Sequence, residues 1–197
     1  MPAILPLNFF EQKTLIVAQG LLGCTLHRQI GQKTIIGTIT ETESYCGPND
    51  LASHASRGKT ARTAVMFGPP GIIYVYLVYG MYWCLNIVTE RDSYPAAVLV
   101  RAVTVPGVSH QQTNGPGKLC RFFHIDKSLN GKILEKRTGL WIERPRAGRQ
   151  NFRIKKTPRI GVDYAGPYRG KLWRFVLTHI PNLHEPPPVN CRKQNFS

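Results

Sequence analysis

Acidic residues are scarce in this chain. Eleven Asp and Glu stand against 26 Lys and Arg, and the shortage is uneven: residues 1–100 hold 7 basic against 6 acidic side chains, whereas residues 101–197 hold 19 against 5. A net charge of +15 carried almost wholly by one half makes a polyanion the expected partner, nucleic acid first and an anionic membrane surface second. Cysteine is sparse as well. Cys24, Cys46, Cys84, Cys120 and Cys191 are odd in number and widely spaced, with no Cys-x-x-Cys pair, which argues against a disulfide framework and the usual zinc patterns and for free thiols in a reducing compartment. The N-terminus, Met1 to Pro6, has no basic region followed by a long apolar one, so no secretory signal and an intracellular protein are expected. The apolar stretch Ile72 to Val88, 17 residues without a charge, contains Gly80, Asn86 and four tyrosines, whereas a membrane-spanning helix needs about 20 predominantly apolar residues. Repeats and low-complexity tracts are absent. With 42% hydrophobic residues, 18 Gly and 15 Pro, the chain reads as one globular domain over 1–185 with a substantial core and many turns, followed at 186–197 by a proline-rich tail expected to be disordered.

The stretch from Tyr74 to Asn86 organises the rest. It is uncharged and holds five aromatics, with Gly80 in its middle, the pattern of two strands meeting at a tight turn. Tyr79 then stands at or beside the bend, free to project beyond the sheet. Upstream, Asn8 with Glu11 has capping-box spacing before Leu15, Ala18, Leu21 and Leu22, which recur at helical spacing up to Gly23. Cys24 to Gln29 and Thr34 to Tyr45 read as paired strands, the second with Ile39, Glu41, Glu43 and Tyr45 on one face. Leu51 to Met66 leaves room for a short helix, and Ala96 to Val105 is a β-branched run interrupted by Arg101. Further strands are expected at Leu140 to Glu143, Arg159 to Val162 and Leu172 to Thr178, and an exposed basic loop at 144–156.

Glu41 and Glu43, two residues apart on a strand, lie about 7 Å from each other. Such a pair is either a solvated face or an Arg-bound pair, or it includes a general base that deprotonates water. Arg101, alone among Ala, Val and Leu, is a cation that is buried only with a partner. His54, Tyr45 and Tyr76 each have an ordinary reading as packed aromatics. Together, a base, a buried Arg, several tyrosines and a basic exterior suit chemistry on an extruded nucleobase, which needs stacking faces, an activated water and phosphate contacts. Gly115-Pro116-Gly117-Lys118 lacks Walker spacing and reads as a turn leading to a helix N-terminus at a DNA phosphate.

Glu41-Thr42-Glu43-Ser44-Tyr45, Asp50 to His54, Met66-Phe67-Gly68 with Pro70-Gly71, Tyr74-Val75-Tyr76 with Tyr79-Gly80-Met81, Asn86, Leu99 to Ala102 and Asn114 to Cys120 together resemble the alkyladenine (3-methylpurine) DNA glycosylase family, over about Phe9 to Phe175. The resemblance implies an α+β fold: a single compact domain with a curved antiparallel sheet, flanking helices and a protruding hairpin that inserts into DNA. It implies a monomeric base-excision enzyme without metal or redox cofactor, located with the genomic DNA, that hydrolyses the N-glycosidic bond of damaged purines in duplex DNA. By motif, Glu43 resembles the general base and Arg101 the residue that helps hold the water. Tyr45, His54, Tyr76 and Asn86 resemble the base pocket, Asn86 as the selectivity residue. Tyr79 resembles the residue that fills the gap in the stack, and Leu99 and Lys118 resemble DNA contacts. With no lysine in the Glu41–Tyr45, Asp50–His54, Tyr74–Asn86 or Leu99–Ala102 motifs, direct displacement by water is expected over a Schiff-base lyase route. Arg62-Thr63 departs from the family's Arg-Asn, and residues 158–168 keep only part of its late motif. A silent nucleic-acid-binding domain is the rival from another class, against which intact Glu43, Arg101 and Asn86 argue. A glycosidase for free nucleosides or sugars is a second, poorly served by the charge.

Overall fold

Thirteen residues of mostly β-branched, Thr and Glu side chains form the strand that the sheet is built on, β2 (Lys33–Tyr45). The structure, a computed structural model, describes residues 3–145 and 153–178. The tail at 186–197 lies outside the described residues, as does most of the expected basic loop. The other strands are β1 (Thr25–Ile30), β3 (Ile73–Val78), β4 (Tyr82–Val88), β5 (Ala97–Thr104), β6 (Leu140–Glu143), β7 (Ile154–Thr157) and β8 (Arg174–Leu177), with helices α1 (Thr14–Leu21) and α2 (Pro116–Phe122). The eight strands among the described residues belong to one open antiparallel sheet, six of them in the order β3-β4-β5-β2-β1-β6 and β7 and β8 off this path. β2 serves three neighbours: its first half pairs with β1, its second half with β8 on the same edge, and β5 runs along the other edge. β7 continues outward from β8.

The main core lies between the sheet and the two helices. Val17, Ala18 and Leu21 of α1, Leu119 of α2 and Phe123 pack with Ile39, Leu85, Ile87, Val98, Val100 and Phe175. Each of the Val, Leu, Ile and Phe side chains contributes about 1.5–3 kcal/mol on full burial. Two smaller clusters attach loops to the sheet. Ala55 and Met66 pack on Tyr74, Val88 and Ala97, and Ala52, Val162 and Ala165 pack with Tyr45. The fold is a single α+β domain.

Four local expectations are corrected. Asn8 and Glu11 do not cap the first helix, because Leu7–Phe9 is a separate 3-10 turn and α1 begins at Thr14. Glu90, distant in sequence, takes that place: one carboxylate oxygen accepts the Thr14 N–H at 3.2 Å and the Thr14 hydroxyl at 2.7 Å, which satisfies an orphan donor and sets a negative charge at the positive end of the helix. Secondly, strict alternation fails along β2, where register shifts fall between Ile39 and Glu41 and between Glu41 and Thr42. Ile39 therefore turns into the main core and does not share a face with Glu43 and Tyr45, which line a cavity. Thirdly, residues 159–162 form no strand. Arg159 there is buried in an ion pair and Ile160 offers its N–H to Glu43, so this segment is held by side chains instead of a ladder. Fourthly, the basic stretch does not run as loop to Lys156. Ile154–Thr157 is an edge strand with Lys155 and Lys156 exposed, and lysines on an open edge discourage pairing with other chains.

The hairpin forms as expected. β3 and β4 pair from Ile73↔Ile87 to Val78↔Tyr82. Met81 N–H closes the turn on the Val78 carbonyl at 3.1 Å, with Tyr79 (φ 52°) and Gly80 (φ 68°) both left-handed. Such geometry follows the sheet's twist, but a tyrosine in it is strained by about 1–3 kcal/mol. Tyr79 is 83% exposed.

Candidate active site

Strand register builds the site's floor. Directly opposed residues share a sheet face, and the pairings Arg174↔Glu43, Glu43↔Leu99, Leu99↔Asn86 and Asn86↔Tyr74 run in one transverse row across β8, β2, β5, β4 and β3. Tyr45 stands two residues beyond Glu43, and Tyr76 two beyond Tyr74. Over this row opens a cavity of about 610 Å³, a volume typical of small-ligand pockets. Its lining gathers Glu43, Tyr45, His54, Tyr76, Tyr79, Asn86, Leu99 and Arg101. Lys118 is not in it; that side chain is exposed near the start of α2, whose Pro116 does line the cavity.

A bulge aims Arg101 into the site. Glu41 opposes Ala102 and Thr42 opposes Val100, so Arg101 is the extra residue of β5, and extra residues of this kind redirect side chains near functional sites. Its Nε meets Glu41 at 2.8 Å and one Nη lies 3.6 Å from Glu43. Glu43 itself is fully buried. One of its oxygens accepts the Ile160 N–H at 3.0 Å and the other the Tyr45 hydroxyl at 3.0 Å. Burial pushes its proton affinity up, and Arg101, the Ile160 amide and Tyr45 only partly offset this, while Glu41 adds to it. A carboxylate so placed can accept a proton from a water and can face developing positive charge.

The aromatic walls remain neutral. Burial, and then Glu43, holds the Tyr45 phenol far above its ordinary value, and burial does the same for Tyr76. Burial and then Arg62 lower His54 to about 4, so its imidazole is uncharged across the physiological range. His54 Nδ1 lies 3.3 Å from the Tyr74 hydroxyl, and its ring meets Tyr76 edge-on at 4.3 Å. A cationic ligand would therefore meet aromatic faces and a carboxylate. Asn86 is fixed by its Nδ2, which donates to the Tyr74 and Cys84 carbonyls at 3.3 and 3.4 Å.

Residues that sequence reasoning passed over hold this arrangement. Arg159 donates to both oxygens of Asp50, at 2.5 and 2.8 Å, and to the Ser44 carbonyl at 2.8 Å. Its guanidinium lies between the rings of Tyr45 and Trp173, 4.9 and 5.0 Å from their centres. The signal was available, for Arg159 is a lone cation in an otherwise apolar-looking run, as Arg101 is. Arg62 sits over Tyr76 at 5.4 Å, and Tyr164 lines the cavity with its hydroxyl donating to the Ala52 carbonyl at 3.3 Å. Among the described residues, no group of three or more His, Cys, Asp or Glu could hold a metal ion, and no helix is long and apolar enough to cross a membrane.

The chain has extensive relatives. A family model described as "Methylpurine-DNA glycosylase (MPG)" matches residues 8–181. A protein of Methanocella arvoryzae named "Putative 3-methyladenine DNA glycosylase" is 45% identical over 198 residues, which covers 94% of this chain and 98% of that one. Proteins of the same name from Legionella pneumophila and Rickettsia peacockii are 44% and 46% identical, covering 91% of this chain and 97% and 92% of theirs.

Proposed function

From the premise that the chain belongs to the methylpurine-DNA glycosylase family, and is thus a DNA glycosylase that hydrolyses N-glycosyl bonds, we propose how it works and on what. Its substrate is duplex DNA carrying an alkylated or deaminated purine, flipped into the cavity over the Glu43–Leu99–Asn86 row. Tyr45, His54 and Tyr76 receive the base by stacking and hydrogen bonding, and Tyr79, strained and exposed at the turn, takes its place in the helix. Glu43 removes a proton from the attacking water as Arg101 helps to hold it. Alkylation at N3 or N7 makes the purine a cation and a good leaving group, so placement, exclusion of bulk water and a carboxylate near the sugar provide most of what is needed.

No lysine lines the cavity among the described residues, which supports release by water without a Schiff-base step. Asn86, pinned by two carbonyls, serves as the gate against the guanine 2-amino group. Leu99 and Lys118 contact the DNA, and a monomer with one glycosylase domain over 1–185 is sufficient for the reaction. The observation that carries this reading is a fully buried carboxylate with raised proton affinity, bound by Arg101, Tyr45 and a backbone N–H, at the floor of a cavity beside an exposed aromatic.

The test is base release from duplexes containing 7-methylguanine or hypoxanthine, by the wild type and by Glu43→Gln. Wild-type release with at least about a hundredfold loss in the variant, and little change in binding to the damaged duplex, is expected. Undiminished release by the variant would refute the role of Glu43.

A further inference from the structure

Glu41 does not line the cavity, yet its side chain is nearly buried and one of its oxygens takes two guanidiniums: Nε of Arg101 at 2.8 Å and Nε of Arg174 at 2.5 Å. Arg174 comes from β8, in register with Glu43, and its Nη1 is steadied by the Thr157 hydroxyl of β7 at 3.2 Å. The consequence follows from counting charges. Two carboxylates, Glu41 and Glu43, face Arg101, and Glu41 has the closer hold while Glu43 is left with an Nη at 3.6 Å. Without a second cation, Glu41 would draw Arg101 further to itself. Arg174 is that second cation, and like Glu41 it does not line the cavity.

We infer that Arg174 is a positioning residue for the active site: by engaging Glu41 it leaves Arg101 shared between the two carboxylates and so keeps a guanidinium on Glu43. This rests on the reading of Glu43 as the base. The groups that face Glu43 are Glu41 and Tyr45 on β2, Arg101 on β5, Tyr76 and Cys84 on the hairpin and the Ile160 amide. The Arg174 side chain meets Glu41 and Thr157 and is not among these groups, so its effect on Glu43 is expected through the Glu41–Arg101 pair, which the double variant isolates.

The experiment is the pH dependence of single-turnover release of 7-methylguanine by the wild type, Arg174→Gln, Glu41→Gln and the double variant, together with NMR titration of the Glu43 carboxyl in each free protein. Arg174→Gln should move the acid limb and the Glu43 titration upward by about one pH unit. Glu41→Gln should move both downward, because Glu41's charge raises the proton affinity of Glu43. The double variant should fall below Arg174→Gln, and Arg174→Lys, which keeps the charge, should stay near the wild type even if Arg174→Gln folds poorly. If Glu43 titrates alike in all four proteins, the inference fails. If release instead drops at every pH with a smaller salt dependence of binding, Arg174 is a phosphate contact. The titration needs no catalysis, so absence of base release would count against the Glu43 mechanism and leave the titration to decide the role of Arg174.

Discussion

Two sets of cations in the C-terminal half behave as opposites. Arg101, Arg159 and Arg174 turn inward and meet Glu41, Glu43 and Asp50, three carboxylates supplied by the near-neutral first half. Lys118, Arg121, Lys155 and Lys156 stay exposed on the surface. One excess of positive charge thus does two jobs. The inward set fixes the floor and one wall of the cavity, where a low dielectric makes each charge expensive to leave unpaired. The outward set provides attraction for a polyanion, which salt weakens. Net charge by itself does not distinguish them; burial does.

Breaking the inward set should cost the most. Arg159→Met leaves Asp50 buried without its guanidinium and should destabilise the protein by about 3–5 kcal/mol, a fall in Tm of roughly 10 °C for a domain of this size, measured by thermal unfolding. A shift below about 2 °C would mean that Asp50 finds water or another donor. The hairpin tip should behave otherwise. Tyr79→Ala removes an exposed, strained side chain, so Tm should hold or rise slightly, while affinity for a duplex with a damaged purine falls by about tenfold through lost stacking. A marked drop in Tm would place Tyr79 in the fold's packing. Smallest of all, Lys118→Ala should leave Tm and chemistry unchanged and reduce the log-log salt slope of DNA binding by about one. An unchanged slope would remove Lys118 from the contact surface.

The same division explains what the sequence disclosed. The β3–β4 hairpin was legible because its turn and its strand-forming residues are contiguous, and the shared face of Glu43 and Tyr45 because strand alternation is local, whereas Leu99 came from the family resemblance alone. Glu90 capping α1 was not, since the two are brought together only by the sheet. Nor was the bulge that aims Arg101, because an extra residue in one strand has no signature until its partner's register is known. Arg159 and Arg174 were read only as members of expected strands, and the carboxylates that they reach show their role. The segment 159–162 was misread for a related reason: apolar residues flanking a cation resemble a strand, whereas here the cation is the anchor and the backbone beside it serves Glu43.

The central claim is that Glu43 works as a base whose proton affinity is raised by burial. The most direct measurement is the pH profile of single-turnover 7-methylguanine release by the wild type, since this cationic base leaves without needing a proton. Because the base form of Glu43 fills as pH rises, the rate should climb with a slope near one through a limb above the ordinary glutamate value of about 4.3, and then level off, with no such limb in Glu43→Gln. A rate independent of pH across that range, or a limb that persists in Glu43→Gln, would contradict the account.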